Sequence, residues 1–246
     1  MSVEQLEAAL SSVNLASSRD STLSSRATTT TASLVQANAT DKKPLYLCEP
    51  FCKRALVQGK LKNICMCPAG VDQHEWIAVN LIDFWAQLNN LFSVVFAVCR
   101  CSSMSVGPNF DLFWRDQRER PAFTYCDSTL SWVQTLTTNK TVFPTEQGRE
   151  FPPEFTTIAQ RIYIQLLMLF AHVYYQHFED MINLEAEGHL NSFAAHYLTF
   201  GIVNGLVQST SKELTTSSRK GFVMGNLLRK FQEVGAIPRD VKAQLL

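Results

Sequence analysis

Between Trp76 and Val98 the positions Ile77, Leu81, Phe84, Leu88, Leu91 and Val95 recur at intervals of three or four residues, the period of one face of an α-helix. A stripe of that length needs other apolar surface to cover it, so it predicts a helix running through the middle of a bundle. Upstream, Pro68-Ala69-Gly70 is a turn, and Asp72-x-x-Glu75 has the pattern of a capping box, which starts the helix near Asp72. A second long helix is expected from Pro152-Pro153, because proline suits a first turn. In it Ile158, Ile162, Leu166, Leu169 and Val173 keep helical spacing, and Gly188 marks its end or a kink. A third helix runs through Leu190 to Val203, with Phe193, Tyr197 and Phe200 on one stripe. Between the first and second, Gly107-Pro108, Pro121, Pro144 and Gly148 predict loops and short elements.

The first 43 residues read differently. They are dominated by Ser and Thr, including Thr28 to Thr31, with too few large apolar residues to offset the entropy of ordering, and are read as a tail. From Pro44-Leu45-Tyr46-Leu47 onward aromatic and aliphatic residues are dense enough for burial, and with 46% apolar and 18% charged residues overall the bulk of the chain must fold.

Lys plus Arg at 22 balances Asp plus Glu at 22, so the whole-molecule field favours neither nucleic acid nor an anionic membrane surface. Locally the balance breaks. Between Phe143 and Leu190, Glu146, Glu150, Glu154, Glu179, Asp180, Glu185 and Glu187 face only Arg149 and Arg161. From Lys212 onward Lys212, Arg219, Lys220, Arg229, Lys230, Arg239 and Lys242 outnumber Glu213, Glu233 and Asp240. A solvated helix face accounts for either run; an acidic docking surface for a basic partner is the sharper alternative.

No window is expected to reach the roughly 18 to 20 apolar residues of a membrane span: Leu91 to Cys99 contains Ser93, and Ile162 to Tyr175 is interrupted by Gln165 and His172. Glu4 and Glu7 stand where a signal peptide would carry Lys or Arg, and no apolar region follows. The seven cysteines, an odd number without a secretory address, are therefore expected as reduced thiols or metal ligands in the cytoplasm, with the nucleus or cell cortex as further locations.

Cys99-Arg-Cys101 follows the first long helix and His172-x4-His177 lies on the second, together two thiolates and two imidazoles for a tetrahedral zinc. The spacing does not decide it. A one-residue gap is tighter than usual zinc knuckles, and positions five apart on an ideal helix are about 140° apart. Either one histidine comes from a distorted turn, or the four are buried thiols and core histidines. A zinc hydrolase has little support: His172-Val-Tyr-Tyr-Gln-His177 is not H-E-x-x-H, and four protein ligands leave no place for water. Neither a Gly-rich phosphate loop nor G-x-S-x-G is present.

Asp72-Gln-His-Glu-Trp-Ile-Ala-Val-Asn80, Met104-Ser-Val-Gly-Pro108, Val142-Phe-Pro-Thr145, Gly148-Arg-Glu-Phe-Pro152, Phe170-Ala-His-Val-Tyr-Tyr-Gln-His-Phe178 and His189-Leu-Asn191 occur in one register. In that order they resemble the Mob family of kinase co-activators over about residues 44 to 207, which leaves 208–246 as a divergent basic segment. The lead-in Pro44-Leu-Tyr-Leu-Cys-Glu-Pro-Phe51 and Ala55-Leu-Val-Gln-Gly59 is similar to the subgroup that partners NDR-type kinases.

The resemblance implies an all-α fold with a four-helix-bundle core and additional short helices and loops. It also implies no catalysis, a structural zinc on Cys99, Cys101, His172 and His177, and binding to the N-terminal regulatory segment of an NDR/LATS-type AGC kinase. Carried over by position, the kinase-binding residues would be Leu56, Gly59, Leu61, Ile64, Glu75, Trp76, Val79, Gln87, Phe143, Pro144, Leu184 and His196. Acidic Glu75 suits a basic kinase helix; for Trp76 core packing is the competing role. Two departures bear on this. The family's C-x4-C is here C-x-C, shortened by three residues, which leaves the zinc geometry open. The basic cluster that other members present to phosphopeptides is replaced by Ile164, Gln165 and Met168, which offer no charge-assisted hydrogen bonds to a dianion, so phosphopeptide docking is expected to be lost. The alternatives to a co-activator are a zinc-dependent hydrolase and a degenerate Mob adaptor that does not activate a kinase.

Overall fold

A computed structural model describes residues 43–57, 60–108, 110–114, 120–146, 148–207 and 223–241. The described residues form seven α-helices, two short 3-10 turns (Leu45–Leu47 and Phe51–Lys53) and one small hairpin. The helices are α1 (Leu61–Cys65), α2 (Gln73–Val98), α3 (Ala122–Thr137), α4 (Phe155–Gln176), α5 (Phe178–Asn183), α6 (Glu187–Val203) and α7 (Val223–Glu233). Strands β1 (Met104–Ser105) and β2 (Asp111–Leu112) pair antiparallel between α2 and α3.

The centre is α4. Every residue from Ile162 to Tyr174 except Gln165 is buried, the pattern of a helix covered on all sides. Around it α2, α3 and α6 complete a four-helix bundle. Phe84 of α2 packs edge-on against Tyr197 and Phe200 of α6, and Trp85 donates its indole N–H to the Leu130 carbonyl of α3. The predicted start of α2 holds: the Asp72 carboxylate accepts from the His74 and Glu75 amides at 2.8 and 3.1 Å. Glu75 does not complete the box; its side chain stays exposed.

Four features depart from the sequence reading. The region assigned to loops contains α3, sixteen residues long. The second long helix begins at Phe155 rather than at the prolines, with Pro152 accepting the Phe155 amide. Gly188 ends nothing: it lies in the first turn of α6, packed beside Leu56. In α2, an 18-residue window reaches a mean hydropathy of 1.4, so by length and composition it could span a bilayer, contrary to expectation. Its apolar stripe is nonetheless buried in the bundle, and Asp83 and Asn89 are exposed on the other side, where lipid would penalise them.

The chain beyond 207 also returns to the core. Val223, Met224, Leu227, Leu228 and Phe231 of α7, with Ile237 and Val241 after it, are all buried. The Ser/Thr-rich tail lies outside the described residues.

Candidate metal centre and partner-binding groove

Cys99 is the C-cap of α2, its amide bonded to the Val95 carbonyl, and its backbone is already extended. In extended chain, residues two apart point to the same side. A single intervening residue therefore brings both thiols to one place, while Arg100 turns back to the Cys99 and Ala97 carbonyls. Cys101 is tied down by its carbonyl, which accepts the Ala122 amide at the start of α3.

The angular problem is solved at His177, which stands just past the end of α4. His172 is within α4, whereas His177 sits at the break between α4 and α5 with φ −124° and ψ 14°. Cys99 Sγ is 3.8 Å from His172 Nε2, Cys101 Sγ is 3.5 Å from His177 Nε2, and all four ligand atoms lie within 4.8 Å of one another. Metal–sulfur and metal–nitrogen bonds of about 2.3 and 2.0 Å give a tetrahedron with edges of about 3.3 to 3.8 Å, a range that the two Cys–His distances already reach while the cluster as a whole is wider. Each ring is also oriented. His172 Nδ1 lies 2.8 Å from the Ser105 carbonyl, and His177 Nδ1 lies 2.9 Å from Asp180 Oδ2. Both partners only accept, so each Nδ1 carries the proton and each Nε2 offers its lone pair inward.

Burial pushes His172 down to about 4, and burial followed by the neighbouring Cys99 pushes the Cys101 thiol up to about 11. A metal must displace the thiol protons, and the four groups could then hold it with a donor set consistent with zinc. With four protein ligands the site is closed to substrate. The sequence reading did not connect Ser105 or Asp180 with the cluster; the available signal was an acid three residues after His177.

Of the residues proposed to meet a kinase, Leu61, Ile64, Gln87 and His196 line one groove of about 200 Å³ with Val57, Ser192 and Phe193. Leu56 stands beside it on an extended strap. That strap is fixed to α6: Ser192 Oγ accepts the Leu56 and Val57 amides, Asn191 donates to the Phe51 and Arg54 carbonyls, and Arg54 pairs with buried Glu187. Glu75 and Val79 are exposed on α2. Trp76 is half-buried; it tilts against Phe200 and donates its N–H to the Cys65 carbonyl at the end of α1, so its role is to hold α1 in place. Phe143 is buried against Phe155, whose ring meets His74 beside Glu75, and half-buried Pro144 carries that corner to the surface. Leu184 is half-buried after α5 and does not line the groove, and Gly59 lies outside the described residues.

A second groove, about 520 Å³, lies between the hairpin, α3 and α4. Ile164 and Met168 form part of its buried lining, Gln165 accepts the Tyr125 hydroxyl, and Arg161 at the edge stacks over Trp132. The acidic run from Glu146 to Glu187 does not form one docking face. Glu187 is buried with Arg54, Asp180 is turned to His177, and Glu146 lies between Lys140 and Arg149.

Residues 53–215 match the Mob1/phocein family. The chain belongs to that family. This Mob chain is 38% identical over 163 residues to the CBK1 kinase activator protein MOB2 of Saccharomyces cerevisiae, covering 63% of this chain and 57% of that protein. It is 35% identical over 197 residues to the maintenance of ploidy protein mob2 of Schizosaccharomyces pombe, covering 76% and 81%. With the CBK1 kinase activator protein MOB2 of Candida albicans it is 36% identical over 177 residues, covering 69% and 56%. The match thus spans little more than half the length of the Saccharomyces and Candida proteins.

Proposed function

We propose that this Mob protein is a non-catalytic co-activator and scaffold that binds the N-terminal regulatory segment of an NDR/LATS-type kinase, with one structural zinc on Cys99, Cys101, His172 and His177. The observation that carries the kinase reading is the character of the surface around the groove. Leu56, Ile64 and Val79 are 60%, 54% and 57% exposed, and no Lys or Arg occurs between Lys62 and Arg100. Exposed aliphatics beside α2, whose only charged residues are Glu75 and Asp83, suit an amphipathic basic helix, whose apolar face fills the groove while its cations meet those two carboxylates. The Saccharomyces and Candida relatives are CBK1 kinase activator proteins, which supports the same partner class. The zinc reading is supported by the two-thiol, two-imidazole donor set and the orienting bond on each ring.

Calorimetry with a basic kinase regulatory segment tests the proposal. Glu75→Lys should weaken binding roughly tenfold, about 1.4 kcal/mol, and the loss should shrink as salt rises. Unchanged affinity in a variant with normal circular dichroism sinks this position for the interface. Binding without stimulation of the kinase would leave an adaptor rather than a co-activator.

A further inference from the structure

The four metal ligands are not equivalent. Cys99 and His172 are deep in the molecule, one capping α2 and the other within the buried run of α4, and the partner of His172 is a backbone carbonyl of β1 that no side-chain change can remove. Cys101 is half-buried, and His177, itself buried, stands at the junction of two helices with non-helical φ and ψ, its amide still bonded to the Val173 carbonyl. The side-chain group that orients the His177 ring is Asp180, in the first turn of α5, with Oδ2 2.9 Å from Nδ1 and its own side chain 40% exposed. Its neighbour Glu179 carries the same charge, is exposed, and makes no bond to the ring.

We propose that Asp180 is a positioning residue for the metal: it fixes the tautomer and plane of His177 and thereby sets how tightly the Cys101–His177 side of the site holds zinc. The inference rests on the zinc reading above. With Asp180 in place, Nδ1–H is donated outward and Nε2 is held facing Cys101. Without it the imidazole can take the other tautomer or turn about its side-chain torsions, which the backbone hydrogen bonds of His177 do not fix. A carboxylate behind a ligating imidazole also makes the nitrogen a stronger donor, and loss of such partners typically costs 10- to 100-fold in metal affinity. The deep pair has no such dependence on a surface side chain, so release of metal should begin at the Cys101–His177 edge.

The test uses the full chain, stripped of metal and titrated with zinc against a chromogenic chelator, alongside melting of the metal-free proteins. Asp180→Ala should bind zinc 10- to 100-fold more weakly and release it faster to excess chelator, while its metal-free melting temperature stays at the parent's value. Asp180→Asn, whose amide oxygen still accepts from Nδ1, should lose less, and Glu179→Ala should match the parent. The proposal is overturned if Asp180→Ala holds zinc as tightly as the parent. It is equally overturned if Glu179→Ala weakens binding as much, since the effect would then be bulk charge rather than orientation. A parent that binds no zinc removes the metal reading itself, an outcome seen before any variant is compared.

Discussion

Tyr163 of α4 and Tyr197 of α6 stack with centroids 4.4 Å apart and planes 3° from parallel, and each hydroxyl donates to the other's main-chain carbonyl, at 3.0 and 2.7 Å. Neither hydroxyl could be buried without such a partner, so the two rings lock the helices in one register. The lock needs space at Gly201, where a Cβ would fall within the Tyr163 ring. A tethered, hydrogen-bonded ring has nowhere to move. Gly201→Ala should therefore cost about 3 kcal/mol, the upper end of ordinary overpacking, read from urea denaturation. His196 is a second residue whose surroundings have a measurable consequence. Burial against Phe84 holds it below its ordinary value, so the unfolded chain binds its proton more readily. Stability from this residue is then full above the unfolded value of about 6.5 and is lost as pH falls through it. His196→Gln should flatten the decline in stability between about pH 7.5 and about pH 5.5.

Among the elements, α2, α4 and α6 were legible because their stripes are built from large aliphatic and aromatic residues on an unbroken period. α3 was not. Its buried set, Ala122, Tyr125, Cys126, Thr129, Leu130 and Val133, keeps helical spacing, but small and polar members dilute the stripe, and its Thr-rich sequence has low helix propensity. The α7 stripe of Val223, Leu227, Leu228 and Phe231 is plain once sought, yet it was hidden among basic residues in a segment unlike the family's usual ending. The four candidate metal ligands were nameable from residue type, but their convergence depends on two backbone irregularities, the extended Cys99 and the non-helical φ and ψ at His177, which no helical period encodes. The loss of phosphopeptide docking was expected from Ile164, Gln165 and Met168 standing where other members carry basic residues, and these three line the groove between the hairpin, α3 and α4. Its Ile164 and Met168 are buried, Gln165 is engaged by Tyr125, and Arg161 is drawn over Trp132. A phosphothreonine peptide should therefore bind no better than its unphosphorylated form in fluorescence polarisation. A clear phosphate-dependent gain would overturn this expectation.

At the scale of the whole molecule, the metal cluster is where separate parts of the chain are brought to one point: the end of α2, the start of α3 through the Cys101 carbonyl, β1 through Ser105, and the junction of α4 with α5. Backbone and side-chain hydrogen bonds already gather these ends, and the four thiol and imidazole groups among them lie within 4.8 Å of one another. A metal bound only by the folded chain adds its binding free energy to stability. Removing it should loosen the α2–α4 end first and lower the melting temperature of the whole domain. Cys126 separates this effect from the loss of any buried thiol. It lies beside Met104, close to the cluster and fully buried, but outside the ligand set. Cys101→Ser should release zinc, abolish the response of the melting curve to chelator and melt several degrees lower, in line with a loss of about 1 to 2 kcal/mol in a domain of this size. Cys126→Ser should keep about one zinc per chain and remain sensitive to chelator, even if a buried hydroxyl costs it some stability. Elemental analysis and thermal denaturation on both variants decide the matter. Equal metal content in the two would show that the thiol at 101 is not a ligand and that the shortened loop has left the metal to other groups.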